Sequence, residues 1–222
     1  MQIGLIGGIG PAATDFYYRR LIATFAARRS PLELTIAHAD TPTLVDNLGR
    51  NDKTAQAEIF AGLASRLAAA GANFVAITSI AGHFCIDSFK AKSPLPAVDM
   101  ITEVNRAVAA TVFNRIGILG TRTVMETRFY GGLTTATIIP PSGRDLIDVH
   151  DAYVAMAASG VANEAQRSVF DRVSRRLLND GAQAIMLGGT DLALVYNQQT
   201  SEFPLIDCAT IHIEAIVRLA LG

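Results

Sequence analysis

Four histidines, two cysteines and a few hydroxyl and carboxylate groups are the side chains of this 222-residue chain with which chemistry could be done. Their placement narrows the choice. Ser79 and His83 stand just past an apolar run, Phe74 to Ile77, and Thr190 and Asp191 stand just past another, Ala184 to Leu187. His38, His150 and His212 are scattered and no pair has metal-ligand spacing, so a metal site is not expected. Ser79 lacks the Gly-x-Ser-x-Gly surroundings of a hydrolase nucleophile. Cys85 reads as core. Cys208 follows Asp207 at a strand's end, where a thiol could reach a cleft, although free cysteines mostly pack as small hydrophobes. Ser79, His83, Asp191 and Cys208 are thus the candidates for acid–base work, each placed near a strand exit.

A second signal is glycine. Gly7-Gly8-Ile9-Gly10-Pro11 follows an apolar stretch and precedes an amphipathic one, which is where backbone N–H groups can cradle an anion. The spacing is not Gly-x-Gly-x-x-Gly, no acidic residue closes a ribose site, and no Gly-Lys-Ser/Thr occurs, which argues against a nucleotide. The same N–H groups suit a carboxylate. The expected ligand is therefore a small carboxylic or dicarboxylic acid. Gly8 and Gly10 would hold it, with Thr78, Thr121, Thr190 and Arg50. No nucleotide, metal or pyridoxal phosphate is expected.

These groups need elements to position them, and the chain supplies the elements twice. Leu67 to His83 (LAAAGANFVAITSIAGH) ends a helix, turns on Gly71-Ala72 and enters an apolar run; Leu177 to Leu194 (LLNDGAQAIMLGGTDLAL) does the same through Gly181-Ala182. Ile3-Gly-Leu-Ile-Gly7 is echoed by Ile116-Gly-Ile-Leu-Gly120. The nearly equal offsets predict two related α/β halves. Apolar runs without alternation are how strands buried in a parallel sheet read. Strands alternate with helices throughout, so the predicted fold is two pseudo-symmetric, doubly wound α/β lobes with mainly parallel sheets and a cleft between them. Residues 1–97 plus 207–222 would form one lobe and 98–206 the other. Ligands of such sheets sit beyond the strands' carboxyl ends.

Along the chain, the strands are expected at Gln2 to Ile6, Leu34 to Ala37, Phe74 to Ile77, Arg115 to Leu119, Thr135 to Ile139, Ala184 to Leu187 and Phe203 to Asp207. Asp46 to Asp52 reads as a polar connection, and Leu95 to Val98 as a crossing segment. Helices are expected at about 54–70, 101–111, 149–158, 164–179 and 211–221. Half the residues are hydrophobic and 18% are charged, with a formal net charge of −1, which fits a globular chain with no electrostatic bias toward nucleic acid or anionic membrane. Two cysteines make no disulfide framework and point to a reducing, cytoplasmic setting. MQIGLIGGIG reads as a first strand rather than a signal peptide.

Assembled, these segments resemble the aspartate/glutamate racemase family over nearly the full length. The resemblance rests on Gly7-Gly8-Ile9-Gly10-Pro11, on Gly71-Ala72-Asn73-Phe74 through His83, and on Leu119-Gly120-Thr121-Arg122 with Met125-Glu126 and Tyr130. It continues through Gly181-Ala182 to Leu187-Gly188-Gly189-Thr190-Asp191, and in Asp207, Thr210, His212 and Glu214. It implies cofactor-independent α-proton transfer on a small acidic amino acid or related carboxylic acid, and a homodimer. In that family two cysteines flank the substrate's α-carbon, one removing a proton and the other delivering one. Here Ser79 stands at the first cysteine position and Gly189 at the second, and the family's basic residue near position 46 is displaced to Asn47 or Arg50. Changing Ser79 and Gly189 together to cysteine is expected to raise α-proton exchange, with partial recovery. The alternatives are a non-catalytic small-carboxylate-binding protein and a related lyase or cis-trans isomerase of the same fold.

Overall fold

A computed structural model describes residues 1–197, 199 and 201–222. The chain divides into two compact units, 1–99 with 212–222, and 100–211. In the first, β1 (Ile3–Gly7) leads through α1 (Pro11–Ala27) to β2 (Leu34–His38). Helices α2 (Thr41–Gly49) and α3 (Lys53–Ala69) precede β3 (Phe74–Ile77), which is followed by a 3₁₀ turn at Ala81–Cys85, α4 (Ile86–Lys92) and β4 (Ala97–Val98). In the second, α5 (Met100–Ala109) precedes β5 (Arg115–Gly120), α6 (Arg122–Glu126) and β6 (Thr137–Ile139). Helices α7 (Gly143–Ser159) and α8 (Glu164–Asn179) lead to β7 (Ala184–Gly188), a 3₁₀ turn at Thr190–Leu194, β8 (Leu205–Asp207) and α9 (Cys208–Leu221). Residues of α9 from His212 onward belong with the first unit.

Each unit carries a four-stranded sheet, and the two have the same order: β2-β1-β3-β4 and β6-β5-β7-β8, all pairs parallel. The doubled sequence segments are the cause. Gly71 and Gly181 both have φ +95°, a left-handed conformation that ends α3 and α8 without a Cβ penalty. The next residue returns its N–H to the helix in the same way, Ala72 to the Leu67 carbonyl and Ala182 to the Leu177 carbonyl. One residue on, Asn73 donates to Gln2 O and Gln183 to Arg115 O, stitching each incoming strand to its central neighbour. Gly4 and Gly117 sit where a Cβ would meet Leu67 or Leu177 at 3.1–3.2 Å, so the helix packs close on the sheet.

Cores follow the expected periods. β1, β3 and β7 are buried at every residue, as strands covered on both faces must be. In α1 the buried stripe is Ala13, Tyr17, Leu21 and Phe25; in α8 it is Phe170, Val173, Ser174 and Leu177. Phe60 and Phe89 meet edge to face at 5.8 Å between α3 and α4, an arrangement worth about 0.5–1.5 kcal/mol beyond burial. In α3, Phe60 rather than Ile59 faces inward, Ile59 being 38% exposed.

Three elements differ from the sequence reading. The stretch read as a polar connection begins inside a helix, α2, because the Asp40 side chain accepts from Thr43 N–H at the cap and Pro42 fits the first turn. β4 is a two-residue strand within the crossing segment. Helix α7 starts six residues earlier than expected, at Gly143, two residues beyond Pro141.

Candidate active site

In the order β2-β1-β3-β4 the chain moves to one side of β1 and then returns to the other, so the switch point lies between β1 and β3; in the second sheet it lies between β5 and β7. That is where a parallel sheet opens to a ligand. The first exit carries Gly7, Gly8, Thr78 and Ser79, and the second Gly120, Thr121, Gly188, Gly189 and Thr190.

At the first exit the backbone turns sharply at Gly8, φ +93°, where a Cβ would lie 2.4 Å from His38 Nδ1 and 2.6 Å from Ala39 O, so only glycine fits. Gly8 N–H donates to Thr14 Oγ1 at 2.9 Å, and Thr14 Oγ1 lies 3.2 Å from Thr78 Oγ1. Thr41 Oγ1 donates to Gly8 O at 2.7 Å. Thr78 is wholly buried and its hydroxyl also reaches Ile6 O. Thr78 and the Gly8 N–H therefore close the turn rather than face a ligand, a correction to the sequence reading. Gly10 is different. It is the N-cap of α1 with φ +79° and gives no side-chain cap. The first turn of this 17-residue helix thus carries the partial positive charge of an N-terminus without a side chain to complement it. Ser79, 5% exposed, borders the same exit.

His83 is buried in the 3₁₀ turn that follows β3. Its Nδ1–H donates to the Ser79 carbonyl at 2.7 Å, not to the Ser79 hydroxyl. Its ring meets that of His212 edge to face at 5.8 Å. His212 Nε2–H donates to Val98 O at 3.0 Å, which leaves Nδ1 to accept from Tyr17 O–H at 2.9 Å. His212 is therefore held neutral, and burial lowers both pKa values, that of His212 to about 3. His83 cannot activate Ser79 from here. Its Nδ1–H is committed to the Ser79 carbonyl, and its ring is buried.

Cys208 is fully buried at the start of α9, its Sγ toward Ile206 O, and burial holds its thiol well above the ordinary range. Cys85 is 1% exposed, and burial pushes it up to about 12. Neither has the thiolate character that reactive cysteines require. Among the described residues no group of three or more His, Cys, Asp or Glu is arranged to hold a metal ion.

Asn47 is buried, donating to Gln56 Oε1 at 3.0 Å and accepting from the exposed Arg50 Nη2 at 2.8 Å, so the two candidates form one unit at the end of α2. At the second exit Thr121 caps α6, accepting from Val124 N–H at 3.4 Å, while Arg122 N–H donates to His150 Nδ1 at 3.1 Å. Thr190 and Asp191 are each 3% exposed and begin the turn after β7. Asp191 Oδ2 accepts from Tyr153 O–H at 2.9 Å. Tyr153 escapes sequence reasoning because it lies in α7, 38 residues away, with no spacing that ties it to Asp191.

The sequence profile of the Asp/Glu/Hydantoin racemases matches residues 6–216. Among solved structures, the chain is similar to a Yersinia pestis protein assigned provisionally as an Asp/Glu racemase, with 27% identity, a TM-score of 0.86 and complete coverage of both chains. It is similar in fold to an aspartate racemase homologue from Pyrococcus horikoshii, at 22% identity and a TM-score of 0.80, covering 100% of this chain and 99% of that one. A glutamate racemase from Francisella tularensis in complex with D-glutamate shares the fold at 16% identity and a TM-score of 0.70, over 99% of this chain and 81% of that one.

Proposed function

Because the chain belongs to the Asp/Glu/Hydantoin racemase family, we propose that it acts on a small acidic amino acid or related carboxylic acid by cofactor-independent α-proton transfer that uses no thiol. The observation that carries this reading is the pair of strand exits without cysteine, Ser79 and Gly189, in a chain whose two cysteines are buried with raised pKa values. The uncapped N-terminus of α1 supports the ligand class, since helix N-termini favour carboxylates. Arg50, which donates to Asn47, is the cationic group assigned to the ligand on the first unit.

The step is removal of the Cα proton, with the bond's electron pair delocalised into the substrate carboxylate, followed by return of a proton to the same carbon. Hydrogen bonds to that carboxylate offset the charge that develops. Of the groups singled out by sequence, Ser79 and Asp191 remain as carriers. A hydroxyl is a much weaker base than a thiolate, so Asp191 is the assigned base and Ser79 a hydrogen-bonding group. Cytoplasmic location and a homodimer complete the proposal, the latter tested by light scattering.

The test is α-proton exchange from D- and L-aspartate and glutamate in heavy water, followed by NMR and chiral chromatography, for the native chain and for Cys85→Ala with Cys208→Ala. Exchange that survives loss of both thiols in a folded variant supports the reading; exchange abolished in a variant that still folds refutes the thiol-free chemistry. A second reading, a carboxylate-binding protein without turnover, is favoured by one feature, the phenol of Tyr153 beside Gly189. Thermal stabilisation by these acids with no exchange from any of them would establish it instead.

A further inference from the structure

Position 189 has no side chain, and the structure shows what stands there. A Cβ built on Gly189 would lie 2.2 Å from Cε2, 2.5 Å from Cζ and 2.7 Å from Oη of Tyr153, whereas real Cβ atoms essentially never approach within 3.0 Å. These atoms are the hydroxyl-bearing end of the ring. The phenol therefore fills the space into which a residue-189 side chain would grow, its oxygen well inside van der Waals contact of where such a side chain would start. Tyr153 is 7% exposed and cannot swing aside freely, because its hydroxyl is held by Asp191 at 2.9 Å. The equivalent residue of the first repeat, Ser79, keeps its side chain.

We propose that Tyr153 takes the place of the residue-189 side chain and thereby determines what the second unit's strand exit can do. The exit offers a fixed phenol that orients Asp191, and position 189 can carry no acid or base while Tyr153 remains. Burial, reinforced by the Asp191 carboxylate, holds the phenol well above its ordinary pKa, so it stays protonated and serves as a hydrogen-bond donor, not as a base. It follows that changing Ser79 and Gly189 to cysteine does not by itself rebuild a two-thiol site. A third change, at Tyr153, is required. Only this consequence for proton transfer rests on the proposed function; the placement of Tyr153 stands without it.

The test has two arms. In the first, the urea unfolding midpoint of the full chain is measured for Gly189→Ala, Tyr153→Ala and both together. Gly189→Ala is expected to lower the midpoint clearly when Tyr153 is present and to change it little when residue 153 is alanine. An equal effect in both backgrounds, or none with Tyr153 present, overturns the proposal. In the second arm, Ser79→Cys with Gly189→Cys is compared with and without Tyr153→Ala for exchange of the α-proton of L-aspartate in heavy water. At least tenfold faster exchange is expected with Tyr153→Ala, and equal measurable rates in the two backgrounds overturn the proposal. Absence of exchange in both counts against the α-proton reading of the protein, and the stability arm then decides the placement of Tyr153 alone.

Discussion

Lowering the pH from 7 to 5 is expected to weaken the fold through the buried His83–His212 pair. His212 is fully buried and its pKa falls to about 3, from an ordinary value of 6.5, because burial disfavours the imidazolium and His83 adds to the effect. Val98 O and Asp99 act the other way but do not reverse it. The native state therefore holds His212 neutral while the unfolded chain binds a proton below pH 6.5. Stability is full above the unfolded pKa and declines as pH falls toward the folded one. With 6.5 for the unfolded state, the loss from His212 alone is about 2 kcal/mol between pH 7 and pH 5, and it grows by about 1.4 kcal/mol per further pH unit down to about pH 3. His83, also lowered by burial with Asp99 and Lys90 nearby, adds in the same direction. This is a large share of a total stability of about 5–15 kcal/mol. The assay is urea unfolding at closely spaced pH values for the native chain and for His212→Asn, which cannot titrate. The variant is expected to be less stable at pH 7 yet to show a slope between pH 4 and 5.5 shallower by about 1.4 kcal/mol per pH unit. An unchanged slope would refute the assignment.

Other outcomes follow from the same structure. Tyr17→Phe removes the O–H donated to His212 Nδ1 and should destabilise the chain by about 1–3 kcal/mol, read as a lower urea midpoint, because it leaves a buried acceptor without its donor. Gly8→Ala places a Cβ against His38 and Ala39 O at φ +93°, so a loss of about 1–3 kcal/mol is expected by the same measurement. Asp40→Ala removes the cap that accepts from Thr43 and should cost about 1 kcal/mol, with circular dichroism reporting the lost helix. Ellman's reagent should label neither Cys85 nor Cys208 in the native chain and both in urea, since both are buried; rapid native labelling would contradict their placement.

Sequence carried the scaffold further than the site. Gly71-Ala72 and Gly181-Ala182 are legible because a left-handed helix end followed by a buried parallel strand needs a local pattern, glycine and then an unbroken apolar run. The shared strand order of the two sheets follows from that repetition. Helix α2 was not legible, because Thr41-Pro42 stops a strand as readily as it starts a helix, and only the Asp40–Thr43 hydrogen bond decides between them. Within the site, proximity to a strand exit was visible for Ser79, His83 and Asp191, but the direction of each side chain was not. His83 turns inward to a carbonyl, and Cys208 is sealed by packing, outcomes set by tertiary contacts that no spacing encodes. The partner of Asp191 came from another helix entirely.

The two repeats show where divergence is tolerated. Residues that set backbone geometry agree between copies: Gly4 with Gly117, Gly71 with Gly181, and the paired bonds from Asn73 and Gln183. Residues immediately beyond the strands do not agree. Thr78-Ser79-Ile80-Ala81 is answered by Gly188-Gly189-Thr190-Asp191. Each copy then stabilises its own exit with a different buried polar group, a neutral imidazole bonded to the Ser79 carbonyl in the first and a phenol bonded to the Asp191 carboxylate in the second. The first uses a side chain of the turn itself and the second one from α7, and both satisfy the buried group with a hydrogen bond, as burial of a polar group demands. The chemical difference follows directly. The first exit keeps a side chain at position 79, whereas the second yields that space at position 189 to Tyr153. A change at 79 alone therefore alters chemistry within an unchanged frame, and a change at 189 must displace a ring before it alters anything.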